Sequence, residues 1–292
     1  MLDVRYHIFY LGLMFLMLGF GIIIGASIIG PDQVRQQAGA IANLRVTTNK
    51  VAQDRDLARG RFTKDEAALS ALQPALVRGK LAGKRVIVIQ TGDYAEADGA
   101  ANKAITDAGA TVTATVVLTD KWGALTPKQR MALSSIADPT DPAGQDKTLL
   151  AALATALAAG TEGATTLEAL QGENLITESG DLSQPCAFFV LVGGKSDDTG
   201  SISLDAPLLD GFKTVTSNAT LVGCEPFGAA ASSIPAYQNA GIATVDCIDL
   251  PLGQIALPLA LRGEKGDYGL KPTAKQPLPD SLTGTSTPGT SR

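Results

Sequence analysis

Few side chains in this sequence are of a type that does covalent or metal chemistry, and their spacing limits them further. The three cysteines, Cys186, Cys224 and Cys247, lie more than twenty residues apart and form no CxxC pair. Neither a zinc site nor a thioredoxin-type pair is therefore written locally. Cys224 and Cys247 each close a short apolar run, in VGCEPFG and TVDCIDL. If those runs are neighbouring strands, the two thiols approach as a disulfide or as soft ligands for Cu(I). The competing reading is a pair of buried structural cysteines. Asp246 and Asp249 flank Cys247, either as cation ligands or as ordinary acids at a strand end. The single histidine is His7, next to the N-terminal apolar run. Ser196 therefore has no imidazole to activate it, which excludes a Ser-His-Asp hydrolase. Met14 and Met17, three apart, read as thioether ligands or as lipid-facing filler. No nucleophile–base pair stands out, so the chain reads as non-enzymatic, with no catalytic residue assigned.

Two glycine-bearing turns invite a phosphate-binding reading. In QTGDYAEADG only Gly92 is suitably placed, and Asp93 and Glu96 follow where a phosphate would sit, against G-x-G-x-x-G dinucleotide binding. In VGGKSDDTG, residues 192–200, two glycines, Lys195 and Ser196 either form an anion nest or make a solvent-facing loop. The net charge of −5 argues against a nucleic-acid partner.

The elements that must position these residues begin with a membrane segment. Residues 8–29, IFYLGLMFLMLGFGIIIGASII, carry no charge. Such a run suffices for one membrane-crossing helix, and it exceeds the core of a signal peptide, with no clear A-x-A site after it. A charge count of Arg5 and the amine against Asp3, with Arg35, Arg45 and Lys50 beyond the run, slightly favours the soluble part inside the cell. Gly21 and Gly25 are spaced for close helix–helix approach, or are simply glycines of a membrane helix.

After Pro31-Asp32 a heptad runs through Val34, Ile41, Thr48, Arg55, Phe62, Leu69 and Leu76 at one seam position. Gln37, Leu44, Val51, Ala58, Asp65 and Leu72 occupy the other. This predicts a coiled-coil stalk over residues 31–79, with polar seam residues that weaken packing but help fix register. Ile41, Leu44, Val51, Leu69 and Leu72, with Gly21 and Gly25, are the candidate oligomerisation residues of a parallel homodimer or higher oligomer. The competing reading is a lone amphipathic helix packed on the distal domain. A stalk of this length would place the domain about 60 Å from the membrane.

The soluble domain is expected over residues 84–270. VIVIQ (86–90), a helix at 95–108 and TVTATVVLT (111–119) form a βαβ unit. Further strands are expected at 187–192, 219–223 and 243–245, and helices at 122–136, 147–159, 208–217 and 253–261. DPTDPAG, residues 138–144, is read as a loop. The fold class is α/β: a single transmembrane helix (residues 8–30, after a flank of residues 1–7), a coiled-coil stalk, and a Rossmann-like, mostly parallel sheet with helices on both faces. From Lys271 the tail turns to Pro, Thr, Ser and Gly, and residues 271–292 are expected to be disordered.

Several segments together resemble the MctB family of bacterial proteins labelled copper transporters. They are VRYH (residues 4–7) before a Gly-rich run ending IIIGASII, the Gln-, Arg- and Asp-rich stalk, KRVIVIQTGDYAEAD, FGAAASSIPAYQ (227–238), IATVDCIDLPLGQIALPLAL (242–261) and GDYGLKPTA (266–274). The resemblance implies copper transport or homeostasis at the cell envelope, a cytoplasmic N-terminus and an extracytoplasmic soluble domain. It also implies copper as the candidate cofactor, and for relatives a partnership with the machinery of cell separation and wall hydrolysis. It supplies no copper-ligand residues, so Cys224 and Cys247 remain the metal candidates. The alternative function is a single-pass dimeric scaffold for a cell-envelope protein partner. One membrane helix cannot enclose a pore without oligomerising, and the domain does not read as the alternating strands of an outer-membrane barrel.

Overall fold

The computed structural model describes residues 4–28, 31–197, 204–215 and 219–283. The chain divides into two compact units, Met1–Lys64 and Asp65–Arg292. In the first, α1 (Val4–Ile28) contains Tyr6–Gly25, a 20-residue stretch long and apolar enough to cross a membrane. Helix α2 (Pro31–Val77) follows as one uninterrupted helix of 47 residues. Pro74 lies inside it without ending it, since the helix closes one turn later at Gly79, whose φ is +72°. The structure shows a long single helix here.

The second unit contains the last turns of α2 and an α/β sandwich. Its strands are β1 (Arg85–Gln90), β2 (Thr111–Leu118), β3 (Ile176–Gly180), β4 (Phe188–Val192), β5 (Thr220–Cys224), β6 (Ala243–Val245) and β7 (Asp267–Tyr268). They form one sheet in the order β3-β2-β1-β4-β5-β6-β7, parallel except for β3, which runs antiparallel to β2. Parallel strands buried on both faces need apolar residues at successive positions, and VIVIQ and FFVLV supply them. In β1, Ile87 and Ile89 enter one core layer and Val86 and Val88 the other.

After α4 (Pro127–Ala132), which buries none of its residues, one layer is built by α5 (Pro142–Ala159), α6 (Ala164–Gly172), α7 (Asp205–Val215) and α8 (Ile234–Asn239). The other is built by α3 (Ala95–Asp107) and α9 (Pro251–Leu261) with the end of α2. A last short helix is α10 (Asp280–Thr283).

Several expectations shift. The helix expected over 122–136 is confined to α4, held by a capping box in which Thr126 and Gln129 bond reciprocally. Trp122 instead lies in a buried turn, its Nε1 donating to Leu175 O at 2.9 Å. Helix α5 begins inside the expected loop, because Asp141 caps it by accepting from Gly144 N at 3.1 Å and Pro142 fills the first turn. The segment from Lys271 is tied down as far as Thr283: Lys271 reaches Glu225, Lys275 pairs with Asp267 at 2.6 Å, and Leu278 and Leu282 pack against the core. Only residues 284–292 of the expected disordered tail lie outside the described residues.

Candidate functional site at the carboxyl edge of the sheet

From β1 the chain crosses to β2 on one side, and after β3 it returns to β4 on the other side of β1. The crevice at such a reversal, outside the carboxyl ends of the strands, is where open α/β sheets bind ligands. Here it is formed by the turns after β1 and β4. They are pressed together: a Cβ on Gly92 would lie 2.2 Å from Gly194 O, and Gly194 has φ +84°. A cavity of about 250 Å³ opens beside them, bordered by Asp93, Thr119, Asp120, Trp122, Lys195 and Asp197.

The backbone amides of these turns are spent inside the protein. Thr91 N and Gly92 N donate to Val192 O, Gly193 N to Cys224 O, Gly194 N to Ser233 Oγ and Lys195 N to Ala231 O. Ser196 N donates to Asp93 Oδ1 at 2.9 Å, and the Ser196 hydroxyl to Oδ2 at 2.6 Å. An anion nest needs those N–H groups turned outward, so the Gly193-Gly194-Lys195-Ser196 loop is not one. Partial burial alone would raise the Asp93 carboxyl, but the two Ser196 bonds outweigh it and hold Asp93 below the ordinary carboxylate range.

Beneath the crevice Asp205 is buried. Its Oδ1 accepts from the Thr91 hydroxyl at 2.5 Å and the Tyr237 hydroxyl at 3.1 Å. Burial first, and the Asp205 charge second, push the Tyr237 phenol well above its usual value, so it stays a donor. The ring packs on β5, where a Cβ on Gly223 would come within 2.1 Å of it.

A second buried acid follows β5. Glu225 is fully enclosed and takes Lys271 Nζ at 2.5 Å, the Ser232 hydroxyl at 2.8 Å and Ser233 N at 2.7 Å. A buried carboxylate is tolerated when its charge is paired and its lone pairs are filled, and here three loops, after β5, before α8 and after β7, cooperate to do so. Asp246, after β6, receives Leu270 N at 2.8 Å and Lys271 N at 3.0 Å. Gly269 has to be glycine, since its φ is +142° and a Cβ would collide with the Asp246 carboxylate. Asp249 accepts from Phe227 N at 2.7 Å. Asp246 and Asp249 thus tie loops to strand ends.

Cys224 and Cys247 are both free, buried thiols on this edge. Burial raises Cys224 well above the ordinary thiol value, helped by the negative charges of Asp98 and Glu225. Burial also raises Cys247, with Asp246 and Asp249 adding to it. Burial and the neighbouring acids thus disfavour the thiolate form that a metal ligand takes. Cys186 is likewise buried, its Sγ donating to Arg85 O and Phe188 O at 3.3 Å. Among the described residues no group of three or more His, Cys, Asp or Glu side chains is gathered to hold a metal ion.

The oligomerisation candidates separate into two sets. Gly21 and Gly25 have open space around them, and Ile41, Leu44, Val51 and Leu72 are exposed. Leu69 instead packs, partly buried, against the core of the second unit. Sequence reasoning gave no role to Glu225, Lys271, Asp205 or Tyr237. Glu225, Tyr237 and Lys271 sit within or beside the segments that carry the family resemblance and Asp205 does not, but an acid near a strand end does not announce whether it is buried.

The family model described as "Copper transport outer membrane protein, MctB" matches residues 1–279. The chain belongs to the MctB family. No curated protein matches it. The MctB match runs from α1 through the clamp of Lys271 on Glu225 and stops just before α10, so it includes every element of the sheet. Among the described residues one apolar helix is of membrane-crossing length, which supports a single-pass, membrane-anchored envelope protein of this family.

Proposed function

We propose that this MctB-family protein is a non-enzymatic envelope scaffold: a single-pass, dimeric protein whose α/β domain docks a cell-envelope protein partner of the wall or cell-separation machinery. In this reading the N-terminus is cytoplasmic, the domain extracytoplasmic, and α2 a coiled-coil spacer. The observation that supports it best is the state of the carboxyl edge. Its turns spend their amides within the fold, its buried Glu225 is paired with Lys271, and burial pushes the Cys224 and Cys247 thiols above their ordinary range. Such an edge is a rigid surface for recognition, at no cost in loop ordering when a partner binds.

The family description favours a second reading, copper transport or copper homeostasis, with Cys224 and Cys247 as the metal ligands. Soft thiolates suit Cu(I), but here each would first have to lose a proton in a buried, acid-flanked site. The discriminating experiment is Cu(I) titration of the full chain in detergent against a competing chelator, with Cys224→Ser and Cys247→Ser alongside. The scaffold reading expects no binding beyond the chelator's competition. Stoichiometric tight binding lost in either variant would make copper handling direct and overturn it.

A further inference from the structure

Helix α2 exposes large apolar side chains along a line that the rest of the chain leaves uncovered. Within the described residues these are Ile41, Leu44, Val46, Val51, Leu57, Phe62 and Leu72. Five of the seven occupy the heptad seam; only Val46 and Leu57 fall outside it. The positions flanking the seam carry charges in a definite arrangement. Asp54 and Arg61 precede the seam residues Arg55 and Phe62. Arg59 and Glu66 follow the seam residues Ala58 and Asp65. None of the four forms an ion pair within the chain among the described residues.

We propose that the occupant of this stripe is a second copy of the chain, in a parallel, unstaggered coil whose register is set by Asp54 against Arg59 of the partner subunit and Arg61 against Glu66 of the partner subunit. The proposal rests on the dimer reading above and specifies its geometry. Direction follows from the anchor. Only two residues separate α1 from α2, so two copies rooted in one membrane send their stalks the same way. Register follows from charge. In a parallel two-stranded coil, the residue before one seam position faces the residue five further on in the other chain. Unstaggered, this gives Asp–Arg and Arg–Glu pairs on both sides of the coil, four in all. Slipped by one heptad, Asp54 faces the partner's Glu66 on one side, and Arg59 faces the partner's Arg61 on the other. The slip thus replaces attractive pairs with like charges, which is how flanking positions select a partner alignment.

The seam's own polar residues agree. Arg55 meets its own copy across the seam, but lies next to the partner's Asp54, which neutralises it. Asp65 would meet a second carboxylate with no such cation on the seam. That position is also the first residue of the second unit, and from Leu69 onward the apolar face turns to the domain core. The paired seam therefore runs over residues 41–62, and the pair of Arg61 with Glu66 of the partner subunit closes it.

The test uses the full chain reconstituted in lipid bilayers. Val51→Cys is oxidised alone and mixed with a size-tagged Ala58→Cys chain, with the wild type as control for the three native cysteines. The unstaggered coil expects a 51–51 disulfide in about tenfold excess over the 51–58 product. Asp54→Arg is expected to lower the 51–51 product about fivefold, and Asp54→Arg with Arg59→Asp to restore it. Equal 51–51 and 51–58 products, or a charge reversal without effect, overturn the register while the dimer reading stands. A chain that sediments as a monomer in detergent and yields neither product overturns both.

Discussion

Asp98 on α3 has a buried Oδ1 with no hydrogen-bond partner, and one turn on, Asn102 Oδ1 is in the same state. Partial burial disfavours the charged form and raises the Asp98 carboxyl above its ordinary value. The consequence for stability has a definite sign. The folded state holds its proton more tightly than the unfolded chain. The penalty is therefore absent below the ordinary pKa near 3.8 and grows as pH rises through the window up to the raised value. Asp98→Asn removes the charge at every pH. The variant is expected to melt on the order of 1–3 °C above the wild type at pH 7, with the difference gone at pH 3. Calorimetry at the two pH values checks this, and equal or lower melting of the variant at pH 7 would refute it.

At the scale of elements, the segment after β7 acts as a strap. It crosses from β7 back to β5 and seals the carboxyl edge with one cation, Lys271, on one buried anion, Glu225. Removing one member of a buried pair leaves the other uncompensated, at a cost of about 3–5 kcal/mol. Lys271→Ala should therefore destabilise strongly, and adding Glu225→Gln should recover most of the loss. The neutral amide still accepts from the Ser232 hydroxyl or Ser233 N and no longer needs a cation. Denaturation followed by the fluorescence of Trp122, the single and buried tryptophan, measures both variants; a double variant no more stable than Lys271→Ala would show that charge pairing is not what the strap provides.

The strap also shows where sequence reading stops. The five parallel strands with apolar runs were legible, because burial on both faces writes itself as VIVIQ or FFVLV. The edge strand β3, ITESG, is exposed at all but Ile176, and β7 has two residues; both exist through pairing with a neighbour, which composition does not encode. Residues 271–283 read as disordered because Pro, Thr and Ser dominate them. What holds them is a handful of specific partners: Lys271 on Glu225, Lys275 on Asp267, Gln276 against Tyr268 and Gly269. Within the candidate site, Cys224 and Cys247 were visible as strand-end cysteines, but their protonation depends on burial and on acids brought in by tertiary structure.

For the whole molecule, the useful boundary is where stalk becomes domain. The heptad pattern continues to Leu76, which placed that boundary after the helix, at Lys84. The compact unit instead begins at Asp65. The physical reason is that one helix serves two partners in succession. Up to Phe62 its apolar stripe is exposed, whereas Leu69 and Leu76 pack partly buried on the domain and Val77 and Leu81 are fully buried in its core. Gln73 is buried too and donates to Asp107 Oδ2 at 3.2 Å. Burying a Val or Leu side chain contributes about 1.5–3 kcal/mol, somewhat less against a compact unfolded chain. Losing these four would remove about 4–8 kcal/mol, a large part of what an ordinary domain has. A chain spanning residues 65–283 is thus expected to unfold cooperatively, whereas one spanning 84–283 should melt at least about 10 °C lower or fail to fold. Circular dichroism melts of the two decide it. Equal melting temperatures would mean that the last turns of α2 only rest on the domain, and that the stalk reaches to Lys84 after all.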